Sequence, residues 1–509
     1  MTNYAPGRCP LLAGVVCCAL ILSATTARAD GDLTHVNHII IAMQENHSFD
    51  NYFGVLAFVP GSPYHSARGV GGMRACDASD HSCVDGLSCR TFATGEMRCG
   101  NSNRSNERGR VKSFHDPRYC TGPDLDHSWD GTHREENFRF PNKTFKAALH
   151  NGFVRLNAET EMPNQATDHD TMGYYTDVDL PFYYYLAETF AISDRYFAPV
   201  LGQTFPNRSY EVAGTSFGHL TTSEILTAGG YKPITGTIYD LLDANSITWT
   251  DYYSDLPYTT SFASASNPAN RKLVAQFFVD AAAGTLPAVS FIDPSSFPSQ
   301  SINGHLYETD EHPPNDIRAG EYFVSTIITA LRNSPNWSDS ILFFTYDEHG
   351  GFYDHAVPPP APQGGASTPD GIAPGQCADL SNPPASELPG GGANCTHSKT
   401  QDAPGICPSF TPTGPYPSDC PTFNQLGVRL PFVAVSPFAK PHYVSHAVGD
   451  HTSMLALIEK RFLNSAHLTA RDQNANTLED MFNFDTSPSA ATTIPAAPLP
   501  QVMDPGCPF

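Results

Sequence analysis

Four short apolar runs constrain this chain more than any other feature: HIIIAM at 38–43, AVSFI at 288–292, ILFFTY at 341–346 and LPFVAV at 430–435. Each is short for a helix and lacks a polar alternation, the pattern of a strand buried on both faces of a parallel sheet. Amphipathic segments lie between them. In DVDLPFYYYLAETFAI, Asp179 suits an N-cap and Pro181 the first turn, and the aromatics recur at the helical spacing of a core face. NDIRAGEYFVSTIITALRN brings Ile317, Phe323, Ile327, Ile328 and Leu331 onto one side. TSMLALIEKRFL, at 452–463, reads as a helix capped near Asp450. Strands alternating with helices predict an α/β fold with a mostly parallel central sheet flanked by helices.

The N-terminus predicts export. Arg8 precedes an apolar stretch and Ala27-Arg28-Ala29 has the small-x-small form of a signal peptidase site, so residues 1–29 read as a signal peptide. The apolar stretch is shorter than the roughly 20 residues a membrane span needs, and the expected location is secreted or periplasmic. Ten of the thirteen cysteines follow that leader, an even number that favours disulfides in an exported chain. Cys76, Cys83, Cys89, Cys99 and Cys120 crowd one early segment, while Cys377, Cys395, Cys407, Cys420 and Cys507 sit late, without the paired spacing of a zinc site. Segments 61–125, rich in Gly, Arg and Cys, and 357–426, rich in Pro, Gly and Ser, read as long disulfide-pinned surface insertions. The expected organisation is a catalytic domain over 30–465 and a C-terminal extension over 466–509.

A formal net charge of −23 removes whole classes of partner. The chain has no basic stripe for a phosphate backbone, so no nucleic acid is expected. Nor has it a polybasic patch for anionic lipid, and any membrane-surface contact is expected to be transient. Six N-x-S/T triplets begin at Asn46, Asn103, Asn142, Asn207, Asn336 and Asn394, but a glycan at Asn46 or Asn207 would fall inside the candidate site described next.

Open parallel sheets place ligands beyond the carboxyl ends of their strands. Glu45 and Asn46 leave the first apolar run in ENHSFDNYFG, and Asp347 and Glu348 leave the third in DEHGGFYDHAVPP. Singly, either pair reads as a cap or a solvated turn. Together they offer three carboxylates and an amide oxygen, a donor set for one hard divalent cation. Gly350 and Gly351 let the chain turn sharply behind the second pair, and His47 and His349 read as solvated neighbours. Thr204 lies in a Gly/Pro-bounded turn with Asn207 and Arg208 close behind; a cation could activate its hydroxyl, although residue type alone makes it an ordinary turn threonine.

ENHSFDNYFG, TFPNR, HPPND and DEHGGFYDHAVPP, in this order, resemble the phosphoesterase family of bacterial phospholipases C, plant non-specific phospholipases C and related acid phosphatases, a branch of the alkaline phosphatase superfamily. The resemblance runs from about residue 35 to about residue 463. It implies an alkaline-phosphatase-like fold and hydrolysis of a phosphate ester through a phosphoryl-enzyme. Carried onto this chain, it implies that Glu45, Asn46, Asp347, Glu348 and the oxygen of Thr204 hold the metal. Thr204 matches the nucleophile, and His312 in DEHPPND and His127 in DLDHSWDG match histidines that contact the phosphoryl group or serve the leaving group. His47 stands where the family motif commonly has Arg. Trp249, Asp251, Tyr252 and Tyr253 occupy a region where some members carry a further active-site histidine, and this region is expected to shape the leaving-group pocket.

Three readings follow. The first is a phospholipase C that hydrolyses glycerophospholipids to diacylglycerol and a phosphorylated head group through phospho-threonine; Thr at the nucleophile position tilts towards it, since the acid phosphatases use Ser. The second is a broad acid phosphatase with the same site, and the third a non-catalytic exported binding protein. All-oxygen ligation suits calcium, magnesium or manganese, and the superfamily adds zinc.

Overall fold

The computed structural model describes residue 1 and residues 31–67, 76–105, 109–120, 124–137, 148–160, 169–216, 222, 230–233, 235–362 and 423–485. The expected signal peptide, the late cysteines, most of the 357–426 insertion and the end of the C-terminal extension lie outside these residues.

Eight strands form the central sheet: β1 (His38–Gln44), β2 (Ala191–Ser193), β3 (Trp249–Tyr253), β4 (Arg271–Leu273), β5 (Val289–Asp293), β6 (Ser340–Tyr346), β7 (Phe432–Val435) and β8 (Val444–Ser445). Their order across the sheet is β4-β3-β5-β1-β6-β7-β2-β8. β1 pairs in parallel with both β5 and β6, with Ile41 opposite Phe291 on one side and Phe343 on the other. Three of the four apolar runs thus lie side by side at the centre.

The fourth run corrects the expectation. β7 is antiparallel to both of its neighbours, β6 and β2. An apolar run reports burial on both faces, which is the same for either direction; direction depends on the route the chain takes to reach the strand.

Period-two geometry divides the buried side chains between two cores. From β1, Ile40 and Ala42 enter one core and Ile39, Ile41 and Met43 the other. β6 divides likewise, with Leu342 and Phe344 opposed to Ile341 and Phe343. Each fully buried Ile or Phe contributes roughly 1.5–3 kcal/mol relative to exposure, so a one-residue slip of either strand would be costly.

Helices cover both faces, as a parallel sheet requires. The Ile40 face carries α1 (Phe49–Phe53), α4 (Pro181–Thr189), α7 (Val274–Ala283) and α8 (Ile317–Arg332), with α2 (Trp129–Glu136) and α3 (Phe153–Thr160) in the segment between α1 and α4. The Ile41 face carries α5 (Thr204–Ala213), α6 (Ile238–Ala244) and α9 (His451–Phe462). α8 buries the predicted stripe of Ile317, Phe323, Ile327, Ile328 and Leu331, and α9 begins at Asp450, whose carboxylate closes a capping box with Ser453. α4 starts at Pro181 as expected, but its N-cap is Leu180. Asp179 instead accepts hydrogen bonds from Thr176 N and Oγ1, closing a turn. Tyr183, Tyr184 and Phe182 are buried in the core.

Within 61–125, disulfides join Cys76 to Cys83 and Cys89 to Cys99, and Cys120 is also disulfide-bonded. The segment is more than a surface excursion, because Val84, Leu87 and Val111 enter the Ile40 core. The expected leaving-group region is a sheet strand, β3: Trp249 and Tyr252 are core residues, and only Asp251 faces a small cavity beside Arg208. Among the described residues, no helix is long and apolar enough to cross a membrane.

Candidate active site

Strand register brings the two candidate ligand pairs together. Gln44 lies opposite Tyr346 in the last rung between β1 and β6, so the next residue on each strand is Glu45 and Asp347. Asp347 N donates to the Gln44 carbonyl at 3.0 Å, extending the ladder one step. Asp347 Oδ1 then accepts from Asn46 N at 3.3 Å and from Glu348 N at 2.7 Å, tying both strand ends to one carboxylate.

The backbone is specialised at this point. Asn46 has φ of +67°, and Gly350 has φ of +60°. A Cβ at Gly350 would stand 2.3 Å from the Asn46 carbonyl oxygen, so the second loop closes on the first only because residue 350 has no side chain.

Asn46, Asp347 and Glu348 are buried, and the Glu45 side chain is 14% exposed. Burial, reinforced by the Asp347 carboxylate, pushes Glu45 up to about 8. Burial also raises Asp347, against the pull of Arg208. Glu348 behaves oppositely: burial acts against ionisation, but His127 and then His349 hold it below the usual carboxylate range. Asn46 Oδ1, Asn46 Nδ2 and Glu348 Oε1 are buried without a hydrogen-bond partner among the described residues. A buried unsatisfied polar group costs about 1–3 kcal/mol, and three at one strand edge point to a missing partner. The available atoms are chiefly carboxylate and amide oxygens. The donor set therefore fits a hard, oxygen-ligated divalent cation.

Thr204 does not sit in a turn. It is the first residue of α5, where Pro206 is tolerated in the first turn. Residues four apart share a helix face, which puts Thr204 on the side of Arg208, and Arg208 reaches into the ligand cluster. Its Nη2 is 3.3 Å from Glu45 Oε1 and its Nε 3.3 Å from Asp347 Oδ2. Thr204 is half-buried at the exposed end of that face.

The two predicted histidines also lie close to these carboxylates. His127 donates through Nδ1 to the Leu125 carbonyl at 2.7 Å, leaving Nε2 3.7 Å from Glu348 Oε1. Although burial opposes it, Glu348 and Asp124 raise the His127 pKa. His312 has Nε2 4.0 Å from Asp124 Oδ2 and is 31% exposed. Burial works against its protonation too, but Glu45, Asp124 and Asp310 hold it up at about 9.

The histidines expected to be solvated are buried. His47 meets Asn51 Oδ1 at 2.7 Å and the Glu311 carbonyl at 3.0 Å, between the rings of Tyr52 and Phe352, and burial pushes it down to about 4. His349 pairs with Glu135 Oε2 at 2.8 Å and is held at about 10, with burial opposing and Glu135 prevailing. Both support the loops from behind.

Sequence reasoning passed over several supports. Arg208 was legible as the i+4 neighbour of Thr204, had TFPNR been read as a helix. His451 donates through Nε2 to the Asp347 carbonyl at 2.8 Å from distant chain, and Glu311, beside His312 in DEHPPND, anchors that loop through a tyrosine hydroxyl that also comes from distant chain.

The phosphoesterase family profile matches residues 36–463. Non-specific phospholipase C6 of Arabidopsis thaliana is 31% identical over 353 residues, which cover 66% of this chain and 57% of the plant protein. This match thus spans under three fifths of the plant relative's length. Phospholipase C A of Mycobacterium tuberculosis is 28% identical over 513 residues, covering 92% of this chain and 81% of that protein. Among solved structures, human ectonucleotide pyrophosphatase/phosphodiesterase 5 aligns with 60% of this chain and 94% of its own at 11% identity, with a TM-score of 0.30, too distant to argue from. With the profile spanning most of the chain, this chain belongs to the phosphoesterase family.

Proposed function

We propose that this chain is an exported, metal-dependent phosphoesterase of the phospholipase C type, with a signal peptide over 1–29, a catalytic domain over 30–465 and a C-terminal extension beyond. Thr204 is its nucleophile. The carrying observation is the register that places Glu45 and Asn46 beside Asp347 and Glu348, with α5 bringing Arg208 against them from Thr204's own face. The phospholipase C relatives and the threonine at position 204 favour a glycerophospholipid substrate, and the early disulfides agree with export.

A divalent cation on Glu45, Asn46, Asp347, Glu348 and the Thr204 oxygen would supply Lewis-acid polarisation of the phosphoryl group and a lowered hydroxyl pKa. The residues do the rest. Thr204 Oγ1, its proton released to solvent, attacks phosphorus in line, forming the P–O bond of phospho-threonine as the bond to the leaving alcohol breaks. Its place at the first turn of a ten-residue helix sets the phosphoryl oxygens near the positive end of the helix dipole. His312, protonated and partly open to solvent, donates its proton to the departing alkoxide, with His127 as the second candidate. Water then hydrolyses phospho-Thr204, releasing the phosphorylated head group and restoring the hydroxyl.

The test is hydrolysis of phosphatidylcholine and of an aryl phosphate monoester by the wild type and by Thr204→Ala, each with chelation and metal add-back. Phosphocholine release by the wild type alone, lost on chelation and restored by metal, is the expected result. Turnover of only the monoester would make the chain an acid phosphatase with this site. Full activity of Thr204→Ala would overturn the mechanism.

A further inference from the structure

α9 ends in a tight reversal. Asn464 and Ser465 both take positive φ, at +51° and +57°, and Ser465 N donates to the Glu459 carbonyl at 3.0 Å. The chain therefore folds back over the last turn of the helix. His467 comes to lie with Nδ1 3.1 Å from Glu459 Oε2, and Asp472 follows at the start of a further short turn.

Each of these three side chains offers one donor atom, and the three atoms lie within 4.8 Å of one another. Glu459 and Asp472 are completely buried, while His467 keeps 27% of its side chain accessible and opens the cluster to solvent. Asp472 is oriented by its cap: Oδ1 accepts from Thr469 N at 2.8 Å and Oδ2 from Leu468 N at 2.7 Å. The second oxygen of Glu459, Oε1, is buried and has no hydrogen-bond partner among the described residues. Two buried carboxylates facing each other with one oxygen unsatisfied call for either a shared proton or a cation between them, and among the described residues no Lys or Arg lies within ion-pair distance of either.

We propose that Glu459, His467 and Asp472 hold a second divalent cation of the zinc class, structural and separate from the active site. One imidazole nitrogen and two carboxylate oxygens are zinc-type ligands, and a water would complete four-coordination. Donors bonded to one ion at about 2.0–2.1 Å stand roughly 3.0–3.4 Å apart, and the 3.1 Å between His467 and Glu459 already has that spacing. Glu459 lies eight residues along α9 from His451, about 12 Å along the axis, so the ion is not a neighbour of Asp347. Its effect is to pin the returning chain. Thr469 Oγ1 donates to the Gly214 carbonyl at 3.0 Å at the end of α5, and Arg471 Nη2 donates to the Pro199 carbonyl at 2.6 Å ahead of it. The cation steadies the platform that carries Thr204, whatever Thr204 does.

The experiment loads the full chain with zinc, removes loosely held metal by dialysis and counts bound metal by mass spectrometry, for wild type, His467→Ala, Glu459→Gln and Glu348→Gln. His467→Ala and Glu459→Gln are each expected to lose about one zinc equivalent that Glu348→Gln retains. Zinc is expected to raise the Tm of Glu348→Gln by about 2 °C or more, and to leave Glu348→Gln with His467→Ala unmoved. His467 is accessible, so its replacement keeps the test decisive even if Glu459→Gln folds poorly. Equal zinc content in wild type and His467→Ala overturns the proposal. Unchanged zinc with a higher Tm in Glu459→Gln also overturns it, and assigns the pair to a proton shared between two carboxyls.

Discussion

Arg208 Nε stands 3.3 Å from Asp347 Oδ2 while Nη2 stands 3.3 Å from Glu45 Oε1, so one guanidinium joins the ends of two neighbouring strands. The Arg208 side chain is only 5% exposed. Removing one partner of a buried charge cluster costs about 3–5 kcal/mol. Arg208→Met is therefore expected to lower the denaturation midpoint and to abolish phosphoester hydrolysis. Added divalent metal is expected to recover part of the stability, because a cation compensates the same carboxylates. Denaturant unfolding with and without metal checks this, and a wild-type midpoint in the variant would show that the pairing contributes nothing.

The hydroxyl at position 204, and not the methyl, is what the proposed chemistry needs. Thr204→Ser is expected to keep kcat within about tenfold of wild type, and Thr204→Ala to lose at least ~10³-fold. Both should unfold at nearly the wild-type temperature, since Thr204 is the half-buried first residue of α5. Steady-state kinetics beside thermal melts separates a chemical loss from a folding loss.

Gly320 in α8 offers a prediction whose sign runs against helix propensity. Replacing an interior helical Gly by Ala ordinarily stabilises by about 0.5–1 kcal/mol. Here the new Cβ would lie 2.1 Å from Glu311 Cγ and 2.4 Å from Oε1. Glu311 is buried, accepts from the hydroxyls of Tyr52, Tyr183 and Tyr346 and from Gln44 Nε2, and holds φ of +70° next to His312. Gly320→Ala is expected to destabilise by about 1–3 kcal/mol and to lower kcat through a displaced His312. A stabilised, fully active variant would sink this account.

His355 sets a pH dependence away from the proposed metal ligands. Burial opposes its charge, but Asp50 and Asp85, at 2.8 and 3.1 Å, hold it up at about 10. Arg429, buried in the same cluster, bonds Asp50 and Asp354. A histidine raised on folding contributes stability in full below its unfolded value, near 6.5, and loses it as pH rises through about 10. Stability should fall across that window, and His355→Gln should flatten the fall while starting lower at pH 6. Chemical denaturation at half-unit intervals of pH reads both.

The central strands and the covering helices were legible because burial leaves a local record. Ile39, Ile40 and Ile41 are consecutive apolar residues because β1 is covered on both faces, and the spacing of Ile317 to Leu331 marks the one face of α8 that meets the core. The direction of β7 left no such record. β3 was missed because WTDYY mixes a polar Thr and Asp into its run, and Asp251 is accommodated by Thr259 from a later turn and by Asp293 of β5.

The candidate site divides the same way. Which residues could hold a cation was written in the sequence, in two acidic pairs at the ends of apolar runs. That they share one site depends on β1 and β6 being parallel neighbours in register, a pairing across about 300 residues that no local pattern encodes. The protonation of His47, His127, His312 and His349 was likewise beyond the sequence. A histidine's charge follows from the carboxylates that reach it and the water it loses, and both are settled only when distant segments pack together.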